Sequence, residues 1–154
     1  GRSGRFVSWL PSYGPEQRGG YASCSVVVSG REVGSPTVDR PDVLVAMSQQ
    51  AAERFAMTVP SGGTIIYEAS LPRPVANEGV RVLAFPASQV AAEAGTPKAA
   101  NTALLGALTA LGLHDLPEDK VLEALDESFA AKPALVERNR KVYQAAFAWA
   151  RENL

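Results

Sequence analysis

His114 carries the chain's single imidazole and Cys24 its single thiol. Nucleophilic catalysis needs a nucleophile within hydrogen-bond reach of a base, so these two side chains come first. His114 follows a helix end marked by Gly112. A cation there is mildly favoured by the helix dipole, which gives the histidine a structural reason to be present. No G-x-S-x-G elbow accompanies it. Cys24 falls on the apolar, covered face of an alternating stretch, where a free cysteine packs rather than reacts. A lone cysteine cannot close an internal disulfide. By itself it also supplies too few ligands for an iron–sulfur cluster or a structural zinc.

Phosphate chemistry has one obvious glycine pair, Gly62-Gly63. Phosphate loops lie between a strand and a helix N-terminus, where free N–H groups point outward. This pair follows a predicted helix and precedes a predicted strand, so a turn is expected. Asp115, Glu118 and Asp119 cluster at the start of a predicted helix, where acids complement the dipole, and Asp126 and Glu127 continue a solvated face. The residues therefore predict no catalytic constellation and no metal site.

The stretch PSYGPEQRGG, residues 11–20, reads differently. Two prolines reduce the entropy cost of holding one loop shape. Tyr13 and Arg18 are of the types that anchor interfaces, with Glu16 between them. Gly19 and Gly20 permit positive φ or close approach of another backbone. With Pro11, Gly14 and Pro15 in it, the whole stretch is expected to be neither helix nor strand. Tyr13, Glu16, Arg18, Gly19 and Gly20 are the candidate site, which composition alone reads equally as a docking surface or as an ordinary surface loop whose Glu16 and Arg18 pair with local partners.

The elements that must position this loop follow from patterning. Residues 6–10 (FVSWL) and 22–29 (ASCSVVVS) read as strands, the second with Ala22, Cys24, Val26 and Val28 on one face. Residues 32–35 could pair back as a hairpin. VLVAM (43–47) is a continuous apolar run, as in a strand buried on both faces, and TIIYEA (64–69) reads as another buried strand. Ser48 caps a helix to about Met57. A proline-punctuated loop, 70–79, leads to the strand 80–85 and a short helix 88–94. Thr96-Pro97 predicts a helix start, with Gly112 closing that helix after Leu111. Pro117 opens a helix whose face is Val121, Leu122, Leu125 and Phe129. Pro133 opens the last, with Leu135, Val136, Val142, Tyr143, Ala146 and Phe147 on one stripe.

This order predicts an α/β fold: a three-layer, Rossmann-like domain with a mainly parallel sheet, an added antiparallel strand pair and C-terminal helices, in one domain spanning 1–154. A doubly wound domain normally opens with a strand and a glycine-rich turn into a helix. Here GRSGR leads straight to a strand, so a strand–helix unit of roughly 30 residues is expected ahead of Gly1.

With 46% hydrophobic and 20% charged residues the chain is globular. A net charge of -1 asks for neither nucleic acid nor an anionic membrane. No apolar run is long enough to span a bilayer, and no apolar core of a signal peptide follows the first residues. A single cysteine suits a reducing, cytoplasmic setting.

The runs WLPSYGPEQRGGYASCSVVVSGREVGSP (9–36), PDVLVAMSQQAAERF (41–55), PSGGTIIYEASL (60–71), ANTALLGAL and KPALVERNRKVYQAAF together resemble the gamma subunit of 2-oxoacid:ferredoxin (acceptor) oxidoreductases. The likeness covers essentially the whole chain, and PSYGPE-x-RGG is its most specific motif. In form it is nearer the 2-oxoglutarate and branched-chain types than the pyruvate type. The 2-oxoglutarate type is expected first, and indolepyruvate enzymes are a further branch. The resemblance implies that the loop at residues 11–20 docks on the thiamine-binding subunits and borders the path of coenzyme A. The resemblance implies a complex that converts a 2-oxoacid and coenzyme A to acyl-CoA and carbon dioxide, with electrons passing to ferredoxin. It implies thiamine diphosphate, Mg, iron–sulfur clusters and CoA held mainly by partner subunits, and none bound by this chain alone. It implies alpha and beta subunits as partners, allows a ferredoxin-like delta subunit, and leaves the isolated chain inactive. The family's gamma subunit usually opens with a strand and a G-x-G-G-x-G turn, which this sequence lacks. An orphan subunit could also pair with itself through the surface meant for its partners. The alternative reading is a freestanding α/β module that binds a small molecule in a crevice.

Overall fold

The structure, a computed structural model, describes residues 6–13, 22–29 and 38–154. The chain divides into two compact units, Gly1–Ala84 and Phe85–Leu154.

In the first unit, β1 (Phe6–Tyr13) and β2 (Ala22–Ser29) form a two-stranded antiparallel sheet, running in register from Phe6↔Ser29 to Tyr13↔Ala22. β1 is longer than the patterning predicts, because Pro11, Ser12 and Tyr13 continue the strand. The expectation that all of residues 11–20 avoid regular structure is corrected there. Each strand of a two-stranded ribbon has an outward edge, where a residue without an N–H loses no ladder bond. Pro11 lies opposite Cys24 within the strand. The hairpin expected at 32–35 lies outside the described residues.

A second sheet has the order β3-β4-β5, from β3 (Val43–Ala46), β4 (Thr64–Glu68) and β5 (Arg81–Phe85). β3 and β4 pair in parallel, Val43 against Thr64 through Ala46 against Tyr67. The Arg81 N–H donates to the Gly63 carbonyl at 3.0 Å, bringing the starts of β4 and β5 together. Every residue of β4 is buried, as its reading as a buried strand predicts. In β3 only Ala46 is, although its run is wholly apolar. The difference is position, since β4 is central and β3 lies at one edge. α1 (Gln49–Phe55) begins at Ser48, whose Oγ accepts the Ala51 N–H at 3.1 Å. It tightens into a 3-10 turn, Ala56–Thr58. Ala46, Ala52 and Tyr67 form one apolar cluster, and Ala56, Val59 and Ile65 another.

The second unit is helical: α2 (Ala87–Glu93), α3 (Ala100–Ala110), α4 (Glu118–Ser128) and α5 (Pro133–Asn153). The prolines act as expected at two starts, Pro117 as the residue before α4 and Pro133 inside the first turn of α5. The expected start of α3 at Thr96-Pro97 is corrected. The Ala99 N–H bonds back to the Thr96 carbonyl at 2.9 Å, so residues 96–99 close a tight turn and the helix begins at Ala100 without a side-chain cap. Gly112, at φ 66°, ends α3, and the Leu113 N–H reaches the Leu108 carbonyl at 3.0 Å. That is the left-handed C-terminal motif glycine makes cheap.

Val121, Leu125 and Tyr143 are the buried centre of the α4–α5 contact, with Leu105, Leu122, Phe129 and Phe147 around them. Phe85 and Trp149 meet edge to face at 5.4 Å. Arg140 grips Asp126 through two bonds, Nε to Oδ1 at 2.8 Å and Nη2 to Oδ2 at 2.7 Å, and this lowers the pKa of the carboxyl. Among the described residues no helix is long and apolar enough to cross a membrane.

Candidate functional site

The predicted docking stretch, residues 11–20, begins inside β1, whose last three residues Pro11, Ser12 and Tyr13 pair with Cys24, Ser23 and Ala22. Tyr13 is the last residue of β1. Glu16, Arg18, Gly19 and Gly20 lie outside the described residues. One further residue of the ribbon belongs in the account. Val26, opposite Trp9 on β2, is 53% exposed. The alternation of β2 assigns it to the covered face, yet it is exposed. Period-two patterning states which residues share a face and is silent on what packs there.

The parallel sheet offers a second place for chemistry, since open α/β sheets bind ligands beyond the carboxyl ends of their strands. There Ser48 is engaged as the cap of α1, and Glu68 closes β4 at 7% exposure. Glu68 has an interaction partner, so it is not a free buried carboxylate. The nearby Met47 and Ser70 are exposed. Sequence reasoning missed Glu68, and a glutamate ending an otherwise apolar strand was the signal available.

The Gly62-Gly63 pair is a turn. Gly62, at φ 91°, gives its N–H to the Gly79 carbonyl, and Gly63 gives its own to Pro60, each at 2.9 Å. Both donors are spent inside the fold, so neither is aimed at a phosphate. Glu118 and Asp119 stand in the first turn of α4, as the dipole argument predicts. Among the described residues no group of three His, Cys, Asp or Glu side chains could hold a metal ion.

His114 is locked between α3 and α4. Its Nδ1 accepts the Leu116 N–H at 3.2 Å, and its Nε2 lies 2.8 Å from Thr109 Oγ1. The Thr109 hydroxyl donates in turn to the Leu105 carbonyl at 2.8 Å. With Nδ1 accepting, the neutral ring carries its proton on Nε2 and donates it to Thr109. Burial pushes the pKa below the ordinary value, partly offset by the Asp115 carboxylate. The histidine is therefore a neutral strut, and the dipole-stabilised cation expected from its position is not the form this geometry selects.

A pH dependence follows from that shift. The unfolded chain binds the proton more tightly than the native one, so stability falls as pH drops below 6.5 and levels off below the lowered native pKa. Above 6.5 the contribution is fully present. Urea midpoints measured between about pH 5 and 8 should rise with pH, and His114→Asn should remove part of that slope. An unchanged slope in the variant would place the titration elsewhere.

Three comparisons with known proteins can be set beside this geometry. A family model described as pyruvate ferredoxin/flavodoxin oxidoreductase matches residues 1–149. The ketoisovalerate oxidoreductase subunit VorA of Methanothermobacter thermautotrophicus is 47% identical over 98% of this chain and 31% of its own. The chain thus spans about a third of the length of that relative. The 2-oxoglutarate synthase subunit KorC of the same organism is 34% identical, over 92% of this chain and 77% of its own. Among solved structures, the gamma subunit of a keto/oxoacid ferredoxin oxidoreductase from Geobacter sulfurreducens superposes with a TM-score of 0.79 at 28% identity, covering 97% of this chain and 82% of that one. The 2-oxoglutarate:ferredoxin oxidoreductase of Magnetococcus marinus gives 0.86 at 25% identity, covering 99% and 27%.

Proposed function

The chain belongs to the pyruvate ferredoxin/flavodoxin oxidoreductase family, and from that premise we propose that it is the gamma-type domain of a 2-oxoacid:ferredoxin oxidoreductase. It is silent by itself and works docked on the subunits that perform the chemistry. The whole complex converts a 2-oxoacid and coenzyme A to acyl-CoA and carbon dioxide, and the two electrons released pass to ferredoxin. The observation that carries the reading is 47% identity along 98% of the chain to a subunit of such an enzyme.

The residues of this chain support an assembly role. One cysteine cannot hold a cluster, and among the described residues no metal-binding group is present. In this reading thiamine diphosphate, Mg and the iron–sulfur clusters belong to partner subunits, in the cytoplasm. Coenzyme A passes close to the docking loop. The partners are the alpha and beta subunits, with a ferredoxin-like delta subunit in complexes that carry one.

Both substrate types expected from the motif appear among the relatives. Identity is higher to the ketoisovalerate subunit than to the 2-oxoglutarate one, 47% against 34%. That favours a branched-chain 2-oxoacid, with 2-oxoglutarate as the second substrate to assay.

Docking runs through the β1–β2 ribbon and the loop it carries. An isolated two-stranded ribbon is marginal in water, and Val26 leaves apolar surface uncovered on it. Tyr13, Glu16, Arg18, Gly19 and Gly20 supply the contacts beyond the ribbon. The test is co-purification of the tagged chain from its host, with the retained complex assayed on ketoisovalerate, 2-oxoglutarate, pyruvate and indolepyruvate. The double variant Tyr13→Ala/Arg18→Ala is expected to weaken retention of the larger subunits about tenfold or more and to leave the melting of the isolated chain unchanged. Unaltered retention and turnover would remove the loop from the interface. A lone chain that retains no subunit, and that is stabilised by a small ligand, would put the freestanding module in place of the subunit.

A further inference from the structure

The connection from α3 to α4, residues 111–117, is tied down through one imidazole. The Leu113 N–H returns to the Leu108 carbonyl and belongs to the end of α3. Beyond it, the Leu116 N–H donates to His114 Nδ1 at 3.2 Å. A side chain accepting from the backbone two residues on has the form of an Asx turn, with a ring nitrogen in place of the amide oxygen. Leu116 in turn packs against Val121, Leu125 and Tyr143, the buried centre of the α4–α5 contact. No side chain caps α4 at Pro117, so the entry to that helix leans on Leu116 and on the ring that holds it.

The hydrogen bonds around the ring leave no room for a second proton. The Thr109 hydroxyl has one proton and gives it to the Leu105 carbonyl at 2.8 Å. Toward Nε2, also 2.8 Å away, it therefore accepts. Nε2 carries the proton of the neutral ring, and Nδ1 offers its lone pair to Leu116. A proton added at Nδ1 would set two N–H groups against each other at 3.2 Å, each a donor with no acceptor on that line. The group facing the ring from α3, Thr109, is neutral. Asp115, next in the chain, is an exposed carboxylate that favours the charged ring. It can hold an imidazolium that has turned away from Leu116. α4 brings Glu118 and α5 brings Tyr143 to the same hydrogen-bonded chain. The Tyr143 hydroxyl lies 3.4 Å from Glu118 Oε1 and has the Thr109 side chain as a second neighbour. Burial keeps that phenol neutral. His114 is half-buried, within reach of solvent protons.

We propose that His114 is a proton-sensitive latch on the α3–α4 connection. Protonation at Nδ1 releases the Leu116 N–H, and residues 112–117 open together with the first turn of α4, while α3 and α5 stay packed. The contacts holding α3 to α5 include no titrating side chain at two points, the close approach of Gly106 to the Tyr143 backbone and the buried Thr102–Asn139 bond. The loss of stability on acidification thus begins at one segment, as a local opening, and is not spread over the fold. Burial lowers the pKa of the ring in the closed form. Above 6.5 the ring is neutral in both forms and the latch is shut. Below that value the open form takes up the proton first, and the effect levels off below the lowered pKa of the closed form.

Amide hydrogen exchange of the full chain, with each rate normalised to that of the unstructured amide, tests this between about pH 5 and 8. Leu116, and Lys120 and Val121, whose N–H groups bond the Pro117 carbonyl, are expected to lose protection severalfold as the pH falls. Ala107 of α3 and Ala146 of α5, both fully buried, should keep theirs. His114→Asn supplies an oxygen that accepts the same N–H without titrating, so Leu116 should stay protected across the range. His114→Ala should leave it unprotected at every pH. Protection of Leu116 that is independent of pH in the wild-type chain would overturn the latch, whether or not the variants fold. So would a pH response that persists in His114→Asn, or a neutral ring found by nitrogen NMR to be protonated on Nδ1. Equal losses at Ala107 and Ala146 would mean unfolding of the whole unit in place of a local opening, and the latch would fall.

Discussion

Tyr143→Ala is expected to destabilise the Phe85–Leu154 unit by about 3–5 kcal/mol, the range for removing a large buried ring, whereas Tyr143→Phe should cost under about 1 kcal/mol. Tyr143 is 1% exposed and is the largest of the fully buried side chains. It packs with Val121 and Leu125 from α4, and its ring lies 6.2 Å from that of Phe147. Truncation leaves a hole whose walls are two helices held by the ring itself. The hydroxyl contributes far less. It reaches Glu118 Oε1, an exposed carboxylate, only at 3.4 Å, and has the Thr109 side chain as a second hydrogen-bonding neighbour. Burial raises the pKa of the phenol, which keeps it neutral. Urea unfolding of the two variants measures the contrast. Equal losses would mean that the polar contact, not the ring, holds α4 to α5.

Gly106→Ala is the second large effect, and two principles disagree on its sign. Helix propensity favours alanine by about 1 kcal/mol. Packing opposes it, because a Cβ at Gly106 would stand 2.5 Å from the Tyr143 carbonyl oxygen, 3.2 Å from Ala146 Cβ and 3.3 Å from the Phe147 nitrogen. Two of those neighbours are backbone, so relief requires α3 and α5 to separate. One turn earlier Thr102 Oγ1 donates to Asn139 Oδ1 at 2.7 Å, a buried bond that separation would stretch. Overpacking of this kind costs about 1–3 kcal/mol, so a net loss is expected for alanine and a larger one for Gly106→Val. The check is a pair of measurements. A peptide of α3 should gain helicity on Gly106→Ala while the whole chain loses stability. A stabilised chain would show that the helices can part without cost.

The sequence by itself determined what depends on neighbours within a few residues. The stretch 64–69 specified a buried strand, and the alternation in ASCSVVVS specified β2 over Ala22–Ser29. Ser48, Pro117, Pro133 and Gly112 marked helix ends correctly because a cap or a fixed φ acts on the next turn of chain. The stretches resembling the oxidoreductase gamma subunit already pointed to the family that the comparisons establish.

The tertiary structure decided whatever depends on distant segments. Asn139 reads as one more polar residue on a charged helix, and only Thr102, 37 positions away, makes it a buried partner. Pro11 reads as a strand breaker, yet pairing with β2 keeps it within β1. Thr96-Pro97 reads as a helix start, yet the bond from Ala99 back to Thr96 shortens α3. β3 is wholly apolar and β4 carries Thr64 and Glu68, yet sheet order buries β4 and leaves β3 half-exposed. Local signals act through bonded geometry that any chain of this sequence would share, whereas burial and contact are created only when remote segments meet.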